Sequence, residues 1–266
     1  MDWTEATTWR RQEDGHFVGE VTEDWGQGRA AFGGLVVTAA VRAMQPMVGA
    51  ERRLRSVLVQ FVGPVEVGPV EARVQLLREG GTLTQIETRV TQGGSVRTVV
   101  LAGFGAARAT TLQVPAEPPP PMPPPEEAVE LPYVPGVTPA FVQHVEMRFA
   151  GDAVPFSGAA DPHVLGYIRP REAVELDRAD VLALIDAWPP PILSRCTAPV
   201  PVSSVTWQVN LTADPCCLGP GAWWRYESRT THCDEGYEDF EASLWDAEGS
   251  LVARARQQVV EFSGGR

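Results

Sequence analysis

An acidic side chain interrupts an otherwise apolar segment in the second half of the chain. Between Val181 and Trp188 the only polar residue is Asp186. A helix that is apolar on all sides is a buried helix, and a carboxylate within it must be paired, hydrogen-bonded or raised in pKa. Asp186 is therefore a candidate functional residue. The alternative is that it lies near the end of the helix, before Pro189, and reaches water.

Gln257 and Ser204 are polar side chains on two strand-like runs. Alternation along the last run puts Gln257 on the same face as Ala255 and Val259, which should point inward. A buried amide needs hydrogen-bond partners, so Gln257 binds either a functional group or simply a backbone atom. Ser204 shares its face with Gln208, and a polar face is the ordinarily solvated side of a strand.

A glycine pair, Gly33 and Gly34, begins the apolar helix of the first half. Glycine lets a ligand approach the backbone closely, and the free N–H groups at a helix N-terminus favour an oxyanion. The helix of the second half has no such pair, so the two halves differ in what they offer. The alternative is that the glycines only permit tight packing of the helix against the sheet.

The elements that must position these residues form the same unit twice. Each unit is an apolar helix followed by four strand-like runs, with glycines at breaks where hairpin turns are expected. The predicted helices are residues 32–47 and 178–188. The predicted strands are residues 54–62, 69–78, 82–91 and 95–106 in the first unit and 200–211, 221–232, 236–245 and 250–262 in the second. This is an α+β pattern in which a sheet wraps one buried helix, twice.

Alignment of the two units predicts a single site in each chain. When Ser95 is aligned with Ser250, Ala102 takes the position that Gln257 holds in the second unit. The first helix has no acid between residues 35 and 44. The acid and the amide would therefore both come from the second half, and the glycine pair from the first.

A proline-rich segment separates the two units. Ten of the 22 residues from Val114 to Pro135 are proline, and proline excludes both helix and central strand. The segment is expected to be an extended linker of polyproline II character that acts as a spacer, although a ligand for a proline-binding domain is the alternative. The predicted domains are residues 1–110, a linker at 111–138, and residues 139–266.

Composition excludes several classes of protein. The 266 residues contain 22 basic side chains, all of them arginine, and 34 acidic ones, which gives a net charge of −12. Nucleic-acid binding needs clustered cations, so we expect no such partner. We also expect no membrane span, because the longest apolar run is far shorter than the roughly 20 residues that a bilayer requires. The first ten residues lack the apolar region of a signal peptide, so the predicted location is the cytoplasm.

The cysteines predict neither a disulfide framework nor a metal site. Four cysteines are too few for a disulfide-rich scaffold of this length. Cys216 and Cys217 are adjacent and show no CxxC spacing, so they do not form a zinc motif with His232 and Cys233. We expect no metal and no cofactor.

Taken together, these residues resemble the double-hotdog acyl-CoA thioesterases of the thioesterase II type. The resemblance covers nearly the whole chain outside the linker. Its specific parts are Phe32 with the glycine pair, Asp186 late in the second helix, the strand of Ser204, and the run that contains Gln257. It implies an α+β double hotdog, in which each of two tandem units wraps an antiparallel sheet around a central helix.

The resemblance also implies a reaction and its residues. In that family an aspartate, a serine or threonine, and a glutamine order and activate a water that attacks the thioester carbonyl. These map to Asp186, Ser204 and Gln257, while the backbone at Gly33 and Gly34 would bind the oxyanion and the substrate. The implied partner is an acyl-CoA, and association into homodimers or homotetramers is usual in the family.

Two other functions stay open. A hotdog hydratase or dehydratase needs a catalytic histidine close to an acid, and His163 near Asp161 is the nearest approach, in a predicted loop. A non-catalytic module would bind an acyl-CoA in the same pocket without turnover. The joint presence of Asp186 and Gln257 favours the enzyme.

Overall fold

In a computed structural model of the protein, residues 1–212 and 220–264 are described. The α-helices of this part are α1 (Trp3–Ala6), α2 (Gly33–Met44) and α3 (Asp180–Asp186). The strands are β1 (Arg10–Glu13), β2 (His16–Val21), β3 (Gly26–Gln27), β4 (Ala30–Ala31), β5 (Arg52–Phe61), β6 (Gly68–Glu79), β7 (Leu83–Gln92), β8 (Ser95–Ala106), β9 (Val129–Glu130), β10 (Val145–Phe149), β11 (His163–Pro170), β12 (Val202–Leu211), β13 (Trp224–Asp234), β14 (Tyr237–Trp245) and β15 (Leu251–Glu261).

Most of the described strands belong to one sheet. Its order is β1-β2-β6-β7-β8-β5-β12-β15-β14-β13-β11-β10-β9, and each neighbouring pair is antiparallel. The second half repeats the order of the first in reverse, and β5 pairs with β12 where the halves meet. The two halves thereby satisfy each other's edge strands, which would otherwise expose unpaired backbone groups.

Both predicted long helices are present, with shorter bounds than the sequence indicated. α2 packs against β6, β7 and β8, while α3 packs against β14 and β15. Gly34 of α2 lies beside Ala183 of α3, and the Thr38 hydroxyl donates to the Ala179 carbonyl, so the helices run antiparallel. α3 ends at Asp186 because three prolines follow from position 189, and proline cannot continue the helix.

The bulges of the sheet fix how the two halves correspond. Each central strand holds one extra residue, Arg55 in β5 and Val205 in β12. After these bulges, Ala102 pairs with Val57 in the first half as Gln257 pairs with Trp207 in the second. Ala102 therefore occupies the place of Gln257, as the alignment of Ser95 with Ser250 predicted.

The strands that precede each helix were not predicted. They are β1, β2 and the short β3 and β4 in the first half, and the short β9 with β10 and β11 in the second. All four residues of β1 are exposed and polar or charged, so no apolar alternation marks this strand. The prediction that His163 lies in a loop is wrong, since His163 is the first residue of β11 and pairs with Arg229.

The proline-rich linker is more than the expected spacer, because it is bonded to the second half. The Trp245 ring N–H donates to the Glu117 carbonyl at 3.0 Å, and the Tyr167 hydroxyl donates to the Pro123 carbonyl at 2.8 Å. Further along, β9 lies inside the predicted linker and pairs with β10. Carbonyl oxygens of a polyproline segment are free to accept such bonds, because proline residues form none within the segment.

Candidate active site

Asp186, Gln257 and Ser204 form one connected chain of hydrogen bonds. The Gln257 Nε2 donates to Ser204 Oγ at 2.7 Å, and the Gln257 side chain is also hydrogen-bonded to the carboxylate of Asp186. The structure thus brings together three residues that lie up to 71 positions apart in the sequence. Their catalytic role stays a prediction.

The bulge at Val205 turns Ser204 inward. Simple alternation put Ser204 on the solvated face with Gln208, and that interpretation is wrong for Ser204. Because the extra residue shifts the register, Ser204 pairs with Val259, which is fully buried. Residues that pair directly across an antiparallel ladder point to the same face, so Ser204 faces the interior with Gln257.

Burial raises the pKa of Asp186 to about 7. Two hydrogen bonds oppose this shift, one from the Gly34 backbone and one from the Gln257 side chain, because both favour the charged carboxylate. Asp186 is the last residue of α3 and keeps partial solvent access. Both interpretations of Asp186 thus hold in part, because its carboxylate is largely enclosed and is still reached by water at the end of the helix. A carboxyl group with this pKa changes protonation near neutral pH.

Gly33 and Gly34 let α2 approach the catalytic aspartate candidate closely. A β-carbon on Gly34 would lie 2.9 Å from the Asp186 Cβ and 3.0 Å from the Ala183 Cα, and one on Gly33 would lie 3.1 Å from Asp186 Oδ2. The glycine pair therefore does permit close packing, but it is packing against α3 and not against the sheet. The Gly34 backbone also bonds to Asp186. The oxyanion role of Gly33 and Gly34 stays a prediction.

Two buried groups beside this set were not singled out from the sequence. Tyr226 stacks on Trp188 with ring centroids 4.4 Å apart, and burial raises the pKa of its hydroxyl, with the Asp186 charge adding to the shift. Glu238 is fully buried, and burial raises its pKa to about 7 against hydrogen bonds from Thr230 and the Ile192 backbone. Alternation with Phe240 in β14 was the signal that could have placed Glu238 on the inner face.

Two family models match the chain, and together they span most of it. The one described as acyl-CoA thioesterase N-terminal domain matches residues 21–105, and the one described as acyl-CoA thioesterase C-terminal domain matches residues 116–260. The chain belongs to the acyl-CoA thioesterase family. The comparison with curated proteins gives no match.

Solved structures similar to this acyl-CoA thioesterase share its whole architecture. A protein of unknown function with a hot dog fold from Alicyclobacillus acidocaldarius is 25% identical, with a TM-score of 0.86 over 97% of each chain. The tesB protein of Mycobacterium avium subs paratuberculosis is 17% identical, with a TM-score of 0.81 over 97% of this chain and 98% of that one. The acyl-CoA thioesterase II TesB2 from Mycobacterium marinum is 18% identical, with a TM-score of 0.76 over 99% and 100%. The predicted α+β double hotdog is confirmed.

Membership in the family makes this acyl-CoA thioesterase a hydrolase that acts on thioesters. Within residues 1–212 and 220–264, no three metal-binding side chains of the His, Cys, Asp or Glu type come together. Cys216 and Cys217, which the sequence did not favour as zinc ligands, lie outside the described residues. No helix in the described part of the chain is both long and apolar enough to cross a membrane.

Two surface features of the thioesterase lie on the outer face of the sheet. His163 bonds to Glu227 at 2.7 Å, in rows of the sheet whose side chains face outward, so it does not face Asp186. A groove of about 350 Å³ is lined mainly by outward-facing residues such as Leu58, Gln208 and Arg256, and Gln257 also contributes to its lining. Neither feature supplies a histidine–acid pair at the inner site.

Proposed function

We propose that the protein hydrolyses the thioester of a fatty or related acyl-CoA, with a water molecule activated by Asp186, Ser204 and Gln257. The observation that carries the proposal is the connected hydrogen-bond chain from Asp186 through Gln257 to Ser204. A carboxyl with a pKa of about 7 is well suited to accept a proton from water and to return it at neutral pH.

The hydrogen-bond donors and acceptors of the site support a proposed role for each residue. The Gln257 amide N–H groups are used by Ser204 and Asp186, so this side chain holds both in place and leaves its carbonyl oxygen as an acceptor. Ser204 accepts from Gln257, so its own O–H is available to orient the water. Neither side chain exchanges a proton at neutral pH, which leaves Asp186 as the general base.

The proposed reaction has two steps. The water oxygen forms a bond to the thioester carbon while Asp186 takes the proton, and the carbonyl oxygen becomes an oxyanion. Collapse of this intermediate breaks the carbon–sulfur bond, and Asp186 gives its proton to the leaving thiolate. Both N-terminal glycines of α2 lie beside Asp186: the Gly34 amide bonds to the Asp186 carboxylate and positions it, and the Gly33 amide is the proposed oxyanion donor.

The test is hydrolysis of an acyl-CoA panel from acetyl to palmitoyl, with the released thiol followed by a thiol reagent. Asp186→Asn should lower kcat by on the order of a hundredfold to a thousandfold, because it removes the general base. Asp239→Asn is the matched control, since Asp239 lies in β14 on the opposite face of the sheet and should leave turnover unchanged.

The alternatives appear as distinct results. Full turnover by Asp186→Asn would overturn the proposed mechanism. Saturable binding without turnover on any chain length would favour the acyl-CoA-binding module. The oligomeric state and the compartment stay predictions, and size measurement in solution tests the first of them.

A further inference from the structure

The inner face of the second half carries polar side chains where the first half is apolar. A second pair of bulges, at Leu77 in β6 and Thr231 in β13, fixes the correspondence of these outer strands. The polar residues are Ser204, Gln257, Tyr226 and Ser228, and their counterparts in the first half are Leu54, Ala102, Ala72 and Val74. The fold itself therefore does not need polar groups at these positions.

Tyr226 and Ser228 of this polar set are not among the three proposed catalytic residues. Glu238 is a further buried polar residue of the same half. Glu238 corresponds to Thr84 of the first half, where the Thr84 hydroxyl is bonded to Arg52. We call Tyr226, Ser228 and Glu238, together with Trp188, the polar wall. Trp188 follows Asp186 by two positions and stacks on Tyr226, so the wall begins directly beside the proposed general base.

Three polar atoms of the wall have no hydrogen-bond partner among the described residues. They are Glu238 Oε2, Ser228 Oγ and Trp188 Nε1. Their residues are 0%, 1% and 5% exposed, so bulk water does not satisfy them. Ser228 lies beside Tyr226 but without good hydrogen-bond geometry. Each buried polar group without a partner is costly, and groups of this kind that cluster beside a site point to a ligand that supplies the partner.

The register of the sheet places the wall within reach of a bound acyl group. Glu238 and Ser204 both pair with Val259, one on each side, so all three point to the inner face. Glu238 is also the diagonal neighbour of Gln257 on the adjacent strand, a separation of about 7–8 Å between such positions. Coenzyme A carries phosphates that stay in water, so the acyl group is the part of the substrate that enters this buried face.

We propose that the preferred substrate is an acyl-CoA whose acyl group carries a hydroxyl, and that the unpartnered atoms of the polar wall supply hydrogen bonds to that hydroxyl. A hydroxyl both donates and accepts, which matches an acceptor at Glu238, a donor at the Trp188 ring N–H, and Ser228, which can do either. A plain alkyl chain would leave all three atoms unsatisfied. The inference rests on the proposed function, since it names the substrate class of the same site.

The test compares kcat/KM for three matched pairs of CoA thioesters: 3-hydroxybutyryl and butyryl, 6-hydroxyhexanoyl and hexanoyl, 4-hydroxyphenylacetyl and phenylacetyl. For at least one pair the hydroxylated member should be better by on the order of tenfold, because it satisfies buried groups that its partner leaves unpaired. The ratio within a pair is independent of how much enzyme is folded.

Variants then assign the preference to the wall. Ser228→Val copies Val74 of the first half. The double variant that combines Ser228→Val with Glu238→Gln should bring the ratio of kcat/KM within the preferred pair close to one. Thr88→Val is the control, because it removes a buried hydroxyl from the first half and should leave the ratio unchanged.

Each outcome has a defined meaning. A wild-type ratio near one for all three pairs, or a ratio that folded variants do not change, overturns the inference and leaves the proposed hydrolysis intact. If a variant does not fold, the wild-type ratios alone decide. Absence of turnover by the wild type on every thioester tested would instead be a failure of the proposed function.

Discussion

Removal of the Gln257 amide should raise the pKa of Asp186 and shift the acidic limb of the pH–rate profile upward. The Gln257 hydrogen bond favours the charged carboxylate and opposes the effect of burial. A hydrogen bond to a charged group contributes on the order of 1.5–3 kcal/mol, and 1.36 kcal/mol corresponds to one pKa unit. In Gln257→Leu, water that enters the vacated polar space replaces part of this bond, so we expect a rise of about one unit.

The measurement is kcat/KM against pH for one acyl-CoA that the wild type hydrolyses well. The wild type should lose activity below a midpoint of about 7, with the slope of a single proton, because the general base must be unprotonated. In Gln257→Leu the midpoint should lie about one unit higher, and the plateau should be lower because Ser204 also loses its partner.

Gln258→Leu provides the matched control. Gln258 is the next residue of β15 and faces the opposite side of the sheet, where it pairs with Thr206. Its profile should keep the wild-type midpoint. A midpoint that stays in place or moves downward in Gln257→Leu would refute the assignment of Asp186 as the titrating base held by Gln257.

Two further predictions concern the glycine pair and the buried carboxyl of the wall. Gly34→Ala should destabilise the protein by about 1–3 kcal/mol in urea unfolding and lower kcat, because its Cβ would lie 2.9 Å from the Asp186 Cβ; Gly81→Ala, in open space, should do neither. Glu238→Gln should raise Tm at pH 8 but not at pH 4. A folded pKa of about 7, above the ordinary carboxyl value, makes the native state lose stability as pH rises toward 7, by on the order of 3 kcal/mol. An equal change of Tm at both pH values would contradict this.

The sequence predicted the parts of the molecule that depend on local pattern. The apolar run around Asp186 indicated a buried helix, and α3 occupies residues 180–186 within the predicted 178–188. The alternation in β15 placed Gln257 on the inner face, where it lies 7% exposed. The alignment of the halves also placed Ala102 correctly, because both halves carry their bulges at equivalent positions.

Other parts depend on contacts that local pattern does not contain. Alternation put Ser204 on the wrong face because a bulge is a property of two paired strands, and only the family resemblance identified this residue. β1 was missed because its exposed edge position removes the apolar alternation. The bonds of the linker carbonyls with Tyr167 and Trp245 join distant segments, so composition indicated a spacer instead.

The pairing of β5 with β12 has a consequence for how such a protein can change. Two identical halves joined by symmetry would carry every substitution twice, once at each equivalent position. Fusion in one chain removes that constraint, so Leu54 and Ala102 can supply hydrophobic packing while Ser204 and Gln257 serve polar chemistry at the matching positions. One half can then keep its apolar packing as a support for the fold while substitutions in the other half change the polar side chains of the site.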